Sequence, residues 1–142
     1  MTDDEIRAFL ALGTRTGKLA WAGVSGQPHV APIWFVVDAS AEALEVVFNT
    51  HGDSAKGKAL RRDPRVSMLV DDERPPFAFV KLTGAVTIST DPDELVRWAA
   101  RIGGRYMGAD RAEEFGRRNG APGELLVRLR PASVLALRGI AD

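Results

Sequence analysis

Apolar positions along this chain switch repeatedly between helical and strand spacing. Ile6, Phe9 and Leu10 share one helical face behind Thr2 to Glu5, which has capping-box spacing, so a short helix ending at Gly13 is predicted. Lys18 to Val24 reads as a strand, Ser25-Gly26 as a turn, and His29 to Val37 as the returning strand of a hairpin. Ala43 to Thr50, rich in β-branched and aromatic residues, is the expected third strand of the same meander. Over Ser54 to Arg62 the period becomes helical, with Ala55, Ala59 and Leu60 set among Lys56, Lys58, Arg61 and Arg62, until Asp63-Pro64 stops it.

Arg65 to Val70 is a strand again, Asp71 to Pro76 an acidic, proline-rich loop, and Phe77 to Ser89 a long strand in which Gly84 predicts a bulge or bend. Asp91-Pro92-Asp93-Glu94 has the order of an N-cap, a first-turn proline and acids, and the stripe Leu95, Trp98, Ala99, Ile102 follows; Gly103-Gly104 is expected to break this helix. Asp110 to Arg118 predicts a further helix, with Asp110 and Glu113 at capping-box spacing and Asn119-Gly120 at its end. In Leu125 to Leu129, Val127 and Leu129 alternate with Arg128 and Arg130 as in a half-buried strand, which Val134 to Leu137 would extend past Pro131. This order is not the alternation of a parallel α/β sheet. It predicts a mainly β fold, an antiparallel barrel with helical insertions, formed by residues 1–142 as one domain. Small barrels have packed interiors, so a flat cofactor is expected outside the barrel or at a subunit junction.

Composition narrows the chemistry. With 45% apolar residues the chain can bury a core unaided, and the absence of cysteine removes disulfides, thiol nucleophiles and cysteine-held metals. Nineteen basic residues balance nineteen acidic ones, so no global field draws the chain to nucleic acid or to an anionic membrane. No stretch approaches the roughly 18 apolar residues of a membrane span, and the acidic start Met1-Thr2-Asp3-Asp4-Glu5 is unlike a secretion signal; a cytoplasmic location is expected.

An anion site must therefore be local. Asn49 to Lys58 joins a strand end, a polar glycine-containing loop and a helix start, where free amides, the helix dipole, the Ser54 hydroxyl and the Lys56 ammonium would converge on a phosphate. On spacing alone the same segment also reads as a capped, solvated surface helix. Neither GxxxxGK[ST] nor a strand-borne GxGxxG is present. In the segment from Pro28 to Phe35, two prolines confine the strand to an edge, whose open amides at Ile33 or Trp34 would face a flat heterocycle; the alternative makes Trp34 and Phe35 ordinary packing aromatics. His29 and His51 have no metal-ligand spacing, and Asp71, Asp72 and Glu73 read as solvated loop acids.

The succession HVAPIWFVVD, VVFNT, SAKGKALRRDPRVSMLVDDE, FAFVKLTGAV and WAARIGGRYMG resembles the pyridoxamine phosphate oxidase-like split-barrel superfamily, and within it the actinobacterial deazaflavin-dependent reductases. The resemblance covers nearly the whole chain and is most specific in SAKGKALRRDPRV. It implies a split β-barrel homodimer with two cofactor sites at the subunit interface, each taking coenzyme F420 or, in relatives, FMN. By position, Ser54 and Lys56 would hold the phosphate with Lys58 and Arg61 nearby, Asn49 and Thr50 would line the ribityl and ring region, and Pro32, Ile33 and Trp34 would lie along the deazaflavin. Phe77 and Phe79 would come from the partner subunit, and Arg105, Tyr106 and Met107 would border the substrate pocket. Ala59 stands where many deazaflavin-binding relatives have asparagine, and the ending Arg138-Gly139-Ile140-Ala141-Asp142 lacks the arginine-leucine-proline motif of the namesake oxidases. The activity so implied is hydride transfer between the reduced deazaflavin and a small conjugated acceptor such as an enone, quinone or tetrapyrrole. An FMN oxidoreductase of the same fold, or a non-catalytic cofactor carrier, is the alternative.

Overall fold

Seven strands hydrogen-bond into one antiparallel sheet in the order β2-β1-β5-β6-β7-β4-β3, in a computed structural model that describes all 142 residues. The strands are β1 (Gly17–Ala22), β2 (Pro28–Ile33), β3 (Val36–Val37), β4 (Val46–His51), β5 (Arg65–Asp72), β6 (Ala78–Ser89) and β7 (Glu124–Arg138). The helices are α1 (Asp3–Ala11), α2 (Ala55–Arg62), α3 (Pro92–Met107) and α4 (Ala112–Asn119). β2 and β3 are the two opposite edges of the sheet, yet only Trp34 and Phe35 separate them in the chain. That span reaches about 11 Å at most, so the sheet has to curl until its edges approach. The result is the expected barrel with a split in its wall.

This split is also why His29 to Val37 is not one strand. The chain leaves one edge at Ile33 and joins the other at Val36, whose partner is Val47 of β4. Nor is β4 a third strand of a simple meander: it pairs with β3 and with β7, while β1 pairs with β2 and β5.

The barrel interior is filled by alternating residues of every long strand, among them Leu19, Phe48, Met68, Val80, Leu82, Val127 and Leu129, with Ile6 and Leu10 of α1 and Leu60 of α2 closing it. A second, smaller core forms outside the wall, where Leu95 and Trp98 of α3 cover Val47 and Leu126. The runs Val46-Val47-Phe48 and Leu125-Leu126-Val127 are therefore continuous because both faces of β4 and β7 are covered there. The bulge expected at Gly84 lies in the β6–β7 ladder with its extra residue on β7: Gly84 pairs with Pro131 and Thr83 with Ser133, which leaves Ala132 unpaired. Pro131, with no amide to give, sits where the ladder is interrupted, so β7 runs unbroken through it.

Three expectations change at the helices. Gly103-Gly104 does not break α3, because these glycines serve packing: a Cβ on Gly103 would stand 2.2 Å from the Phe115 Cβ and one on Gly104 3.3 Å from the Ala112 Cβ, so their absence lets α4 lie against α3. The Asp110 capping box is absent, since residues Ala109–Arg111 form a 3₁₀ turn and α4 starts after Arg111 without a side-chain cap. At α1, Thr2 accepts from the Glu5 amide as predicted, but the Glu5 carboxylate pairs with Arg138 instead of reaching back. Asp71 and Asp72 belong to β5 and not to the following loop, and their carboxylates pair with Lys18 and with Arg15 and Arg74. No helix is long and apolar enough to cross a membrane.

Candidate functional site

The start of α2 is built on the end of β4. Ser54 is its N-cap: the hydroxyl accepts from the Gly57 amide at 3.0 Å and donates to the His51 carbonyl at 2.7 Å. The Lys58 amide donates to the Ser54 carbonyl, so the amides of Ala55 and Lys56 are the unpartnered donors of the first turn. The turn can sit this close because residue 57 is glycine, where a Cβ would come within 2.3 Å of the His51 carbonyl oxygen. Thr50 is buried with its hydroxyl 3.4 Å from that of Ser54.

Lys56 projects from this turn toward β1, where its ammonium lies 6.0 Å from the centre of the Trp21 ring. It makes no ion pair with any carboxylate, and burial holds its pKa below the ordinary 10.5. A partly desolvated cation without a counter-ion, on the same first turn as two free amides at the positive end of a helix, is an arrangement that an anion would complete.

The remaining basic residues of the segment do not converge there. At 100° per residue Lys58 is about 160°, and Arg61 about 140°, around the helix from Lys56. Lys58 is exposed, while the Arg61 guanidinium folds back over Gly52 and lines a separate cleft of about 240 Å³ with Leu95, Gly123 and Glu124. Glu124 has one buried carboxylate oxygen without a donor, and burial raises its pKa. Asn49 is held at a distance from the seat, its side-chain amide donating to the Asn119 carbonyl at the end of α4.

On the edge strand, Gly23 N–H donates to the Gln27 carbonyl, and this register makes 21/29, 19/31 and 17/33 the hydrogen-bonded pairs. The backbones of Pro28, Val30 and Pro32 consequently face outward, as proline requires at an edge. The Ile33 amide is thereby turned toward Gly17 and the Ile33 side chain is buried, so of the two amides expected to be open only that of Trp34 lies beyond the ladder. The Trp34 ring stacks on Tyr106, with ring centres 5.1 Å apart and planes 5° from parallel, and meets the edge of Phe115 at 5.8 Å.

Arg105 and Tyr106, expected at a substrate pocket, are hydrogen-bonded into the fold. The Arg105 guanidinium donates to the carbonyls of Leu10, Gly13 and Phe35 at 2.7, 3.0 and 2.7 Å. The Tyr106 hydroxyl donates to the Arg15 carbonyl at 2.8 Å and accepts from the Phe35 amide at 3.2 Å, and burial raises its pKa. Met107 ends α3, exposed. Sequence reasoning missed this clasp because its acceptors are backbone carbonyls, which no motif encodes.

Phe77 and Phe79 lie at the start of β6, Phe77 exposed with φ of 66° just before the strand and Phe79 between Asp71 and Leu137 in the ladder. On the face of the sheet turned away from the barrel core, Val30, Leu135 and Leu137 are 68%, 44% and 45% exposed. No cluster of three or more His, Asp or Glu residues could hold a metal ion.

The chain matches the sequence model of the pyridoxamine 5'-phosphate oxidase family over residues 2–138. A 5a,11a-dehydrotetracycline/5a,11a-dehydrooxytetracycline reductase from Streptomyces rimosus is 34% identical over 71 residues, covering 50% of this chain and 49% of that protein, so the aligned stretch spans about half of that relative. In structure the chain is similar to a conserved hypothetical protein of Mycobacterium tuberculosis, with a TM-score of 0.86 and 29% identity over 98% of this chain and 86% of that one. It also shares its fold with an F420 reductase, at a TM-score of 0.68 and 23% identity over 90% and 94% of the two chains.

Proposed function

The chain belongs to the pyridoxamine 5'-phosphate oxidase family, and from that premise we propose that it is an oxidoreductase that seats coenzyme F420 by its phosphate at the start of α2 and reduces a small conjugated acceptor. The observation that carries this reading is the Lys56 ammonium, partly desolvated, without a carboxylate partner, and next to the free amides of Ala55 and Lys56. The reductase from Streptomyces rimosus and the shared fold with an F420 reductase support it from outside the chain. When bound, the deazaflavin supplies the hydride. The residues of this chain bind and orient: Lys56 and the two amides hold the phosphate, and the edge running from Pro32 to Trp34 bounds the space beside the ring. Arg105 and Tyr106 keep Trp34 and Phe35 in place.

Titration of the purified protein with F420 and with FMN tests the reading. Both carry a phosphate, so the tighter ligand identifies the cofactor. Lys56→Ala should weaken that ligand by about 1.5 to 3 kcal/mol, the worth of a charge-assisted contact. Because the ammonium form binds phosphate and burial lowers the Lys56 pKa, affinity should begin to fall with rising pH below the ordinary 10.5. Unaltered affinity in Lys56→Ala would remove the seat. If the protein binds F420 but the reduced form passes no electrons to quinones or enones, it is a carrier.

The second part of the proposal is a homodimer formed through the outer sheet face. Leu135 and Leu137 leave an apolar patch of β7 open to water there, with Phe79 across the ladder from Leu137, and a second copy would cover it. Analytical ultracentrifugation should find a dimer that Leu135→Asp converts to monomer; a wild-type monomer at micromolar concentration would overturn this.

A further inference from the structure

A lysine stem is long and flexible, so an ammonium without an ion-pair partner stays in one place only if something else holds it. For Lys56 that group is Trp21, whose ring centre lies 6.0 Å from the nitrogen. Trp21 is itself stacked against His29, its cross-strand neighbour, with ring centres 5.7 Å apart and planes 18° from parallel. His29 lies over Gly23, where a Cβ would come within 2.5 Å of its Nε2. A glycine, an imidazole, an indole and an ammonium thus follow one another across the end of the β1–β2 hairpin. The hairpin sets an aromatic ring against the ammonium that α2 carries.

We propose that Trp21, backed by His29, is a positioning residue of the anion seat, holding the Lys56 ammonium by cation–π attraction without neutralising it. A carboxylate in its place would hold the lysine more firmly and cancel the charge that a phosphate needs. An aromatic quadrupole orients the ammonium and leaves its full positive charge for the ligand. With His29 and Lys56 both against its ring, Trp21 acts through Lys56 and is not a stacking platform for the cofactor. The inference rests on the phosphate-seat reading above.

The test is calorimetric titration of the full-length protein with F420 and FMN for Trp21→Leu, Trp21→Phe, Lys56→Ala and the Trp21→Leu/Lys56→Ala double variant, with thermal melts to establish that each is folded. Trp21→Leu should weaken the cofactor about five-fold and Trp21→Phe should restore most of that loss. The double variant should bind no more weakly than Lys56→Ala alone. In proton NMR, the ring-current shift of the Lys56 ε-protons should disappear in Trp21→Leu. Wild-type affinity in a folded Trp21→Leu, or a loss that is the same with and without Lys56, would overturn the inference while leaving the seat intact. An unchanged Lys56→Ala would remove the seat, and the inference with it.

Discussion

Arg105→Ala is expected to destabilise the protein by about 3 kcal/mol, a loss of roughly 10 °C in melting temperature for a domain of this size. The guanidinium donates to three backbone carbonyls that no other group in the structure satisfies from the same direction: Leu10 and Gly13 at the end of α1, and Phe35 between the two sheet edges. α1 has no basic residue in its own last turn, so Arg105 brings a cation to its negative end from another helix. Burial lowers the Arg105 pKa, which reflects the cost of holding the charge there, and the hydrogen bonds offset that cost. Arg105→Lys should recover only part of the loss, since an ammonium cannot reproduce a fork aimed at three acceptors. Chemical and thermal denaturation measure this directly; an Arg105→Ala protein melting within about 2 °C of wild type would show that the clasp is dispensable.

Gly57→Ala should act in the sense opposite to ordinary helix propensity. Inside an exposed helix this change is worth roughly 1 kcal/mol of added stability. Here the new Cβ would stand 2.3 Å from the His51 carbonyl oxygen and 3.2 Å from the Gly52 Cα, and backbone atoms cannot swing aside as a side chain can. The first turn of α2 must lift from β4, which strains both hydrogen bonds of Ser54, at a cost of about 1 to 3 kcal/mol. Cofactor affinity should fall at least as far as in Lys56→Ala, because the free amides and the ammonium move together. A Gly57→Ala protein more stable than wild type, with unaltered cofactor binding, would contradict this account.

Most of the architecture was legible in the residues because it is local. The Ser54 cap, the Asp91-Pro92 helix start, the bulge at Gly84 and the proline-marked edge strand each rest on a few neighbouring positions whose chemistry allows little else. What failed depends on partners distant in sequence. Gly103-Gly104 has the composition of a stop, and only Phe115 and Ala112 on the facing helix reveal it as a packing surface. The break at Trp34-Phe35 is dictated by sheet order, which spacing does not contain. At the candidate site, Ser54 and Lys56 could be singled out from the helix start. The separation of Lys58 and Arg61 from them is a matter of helical angle, and Trp21 lies 35 positions away on another strand with nothing in its own neighbourhood to mark it.

The two residues between β2 and β3 do more than connect them. No ladder need join those edges at Ile33 and Val36, since the tether is too short to let those ends part, and Arg105 with Tyr106 ties the tether down. Closure of the wall is set by length more than by bonding. Side chains at 34 and 35 are open to exchange for others of similar bulk, whereas an insertion there would unroll the sheet and bare two rows of unpaired amides to any neighbouring molecule.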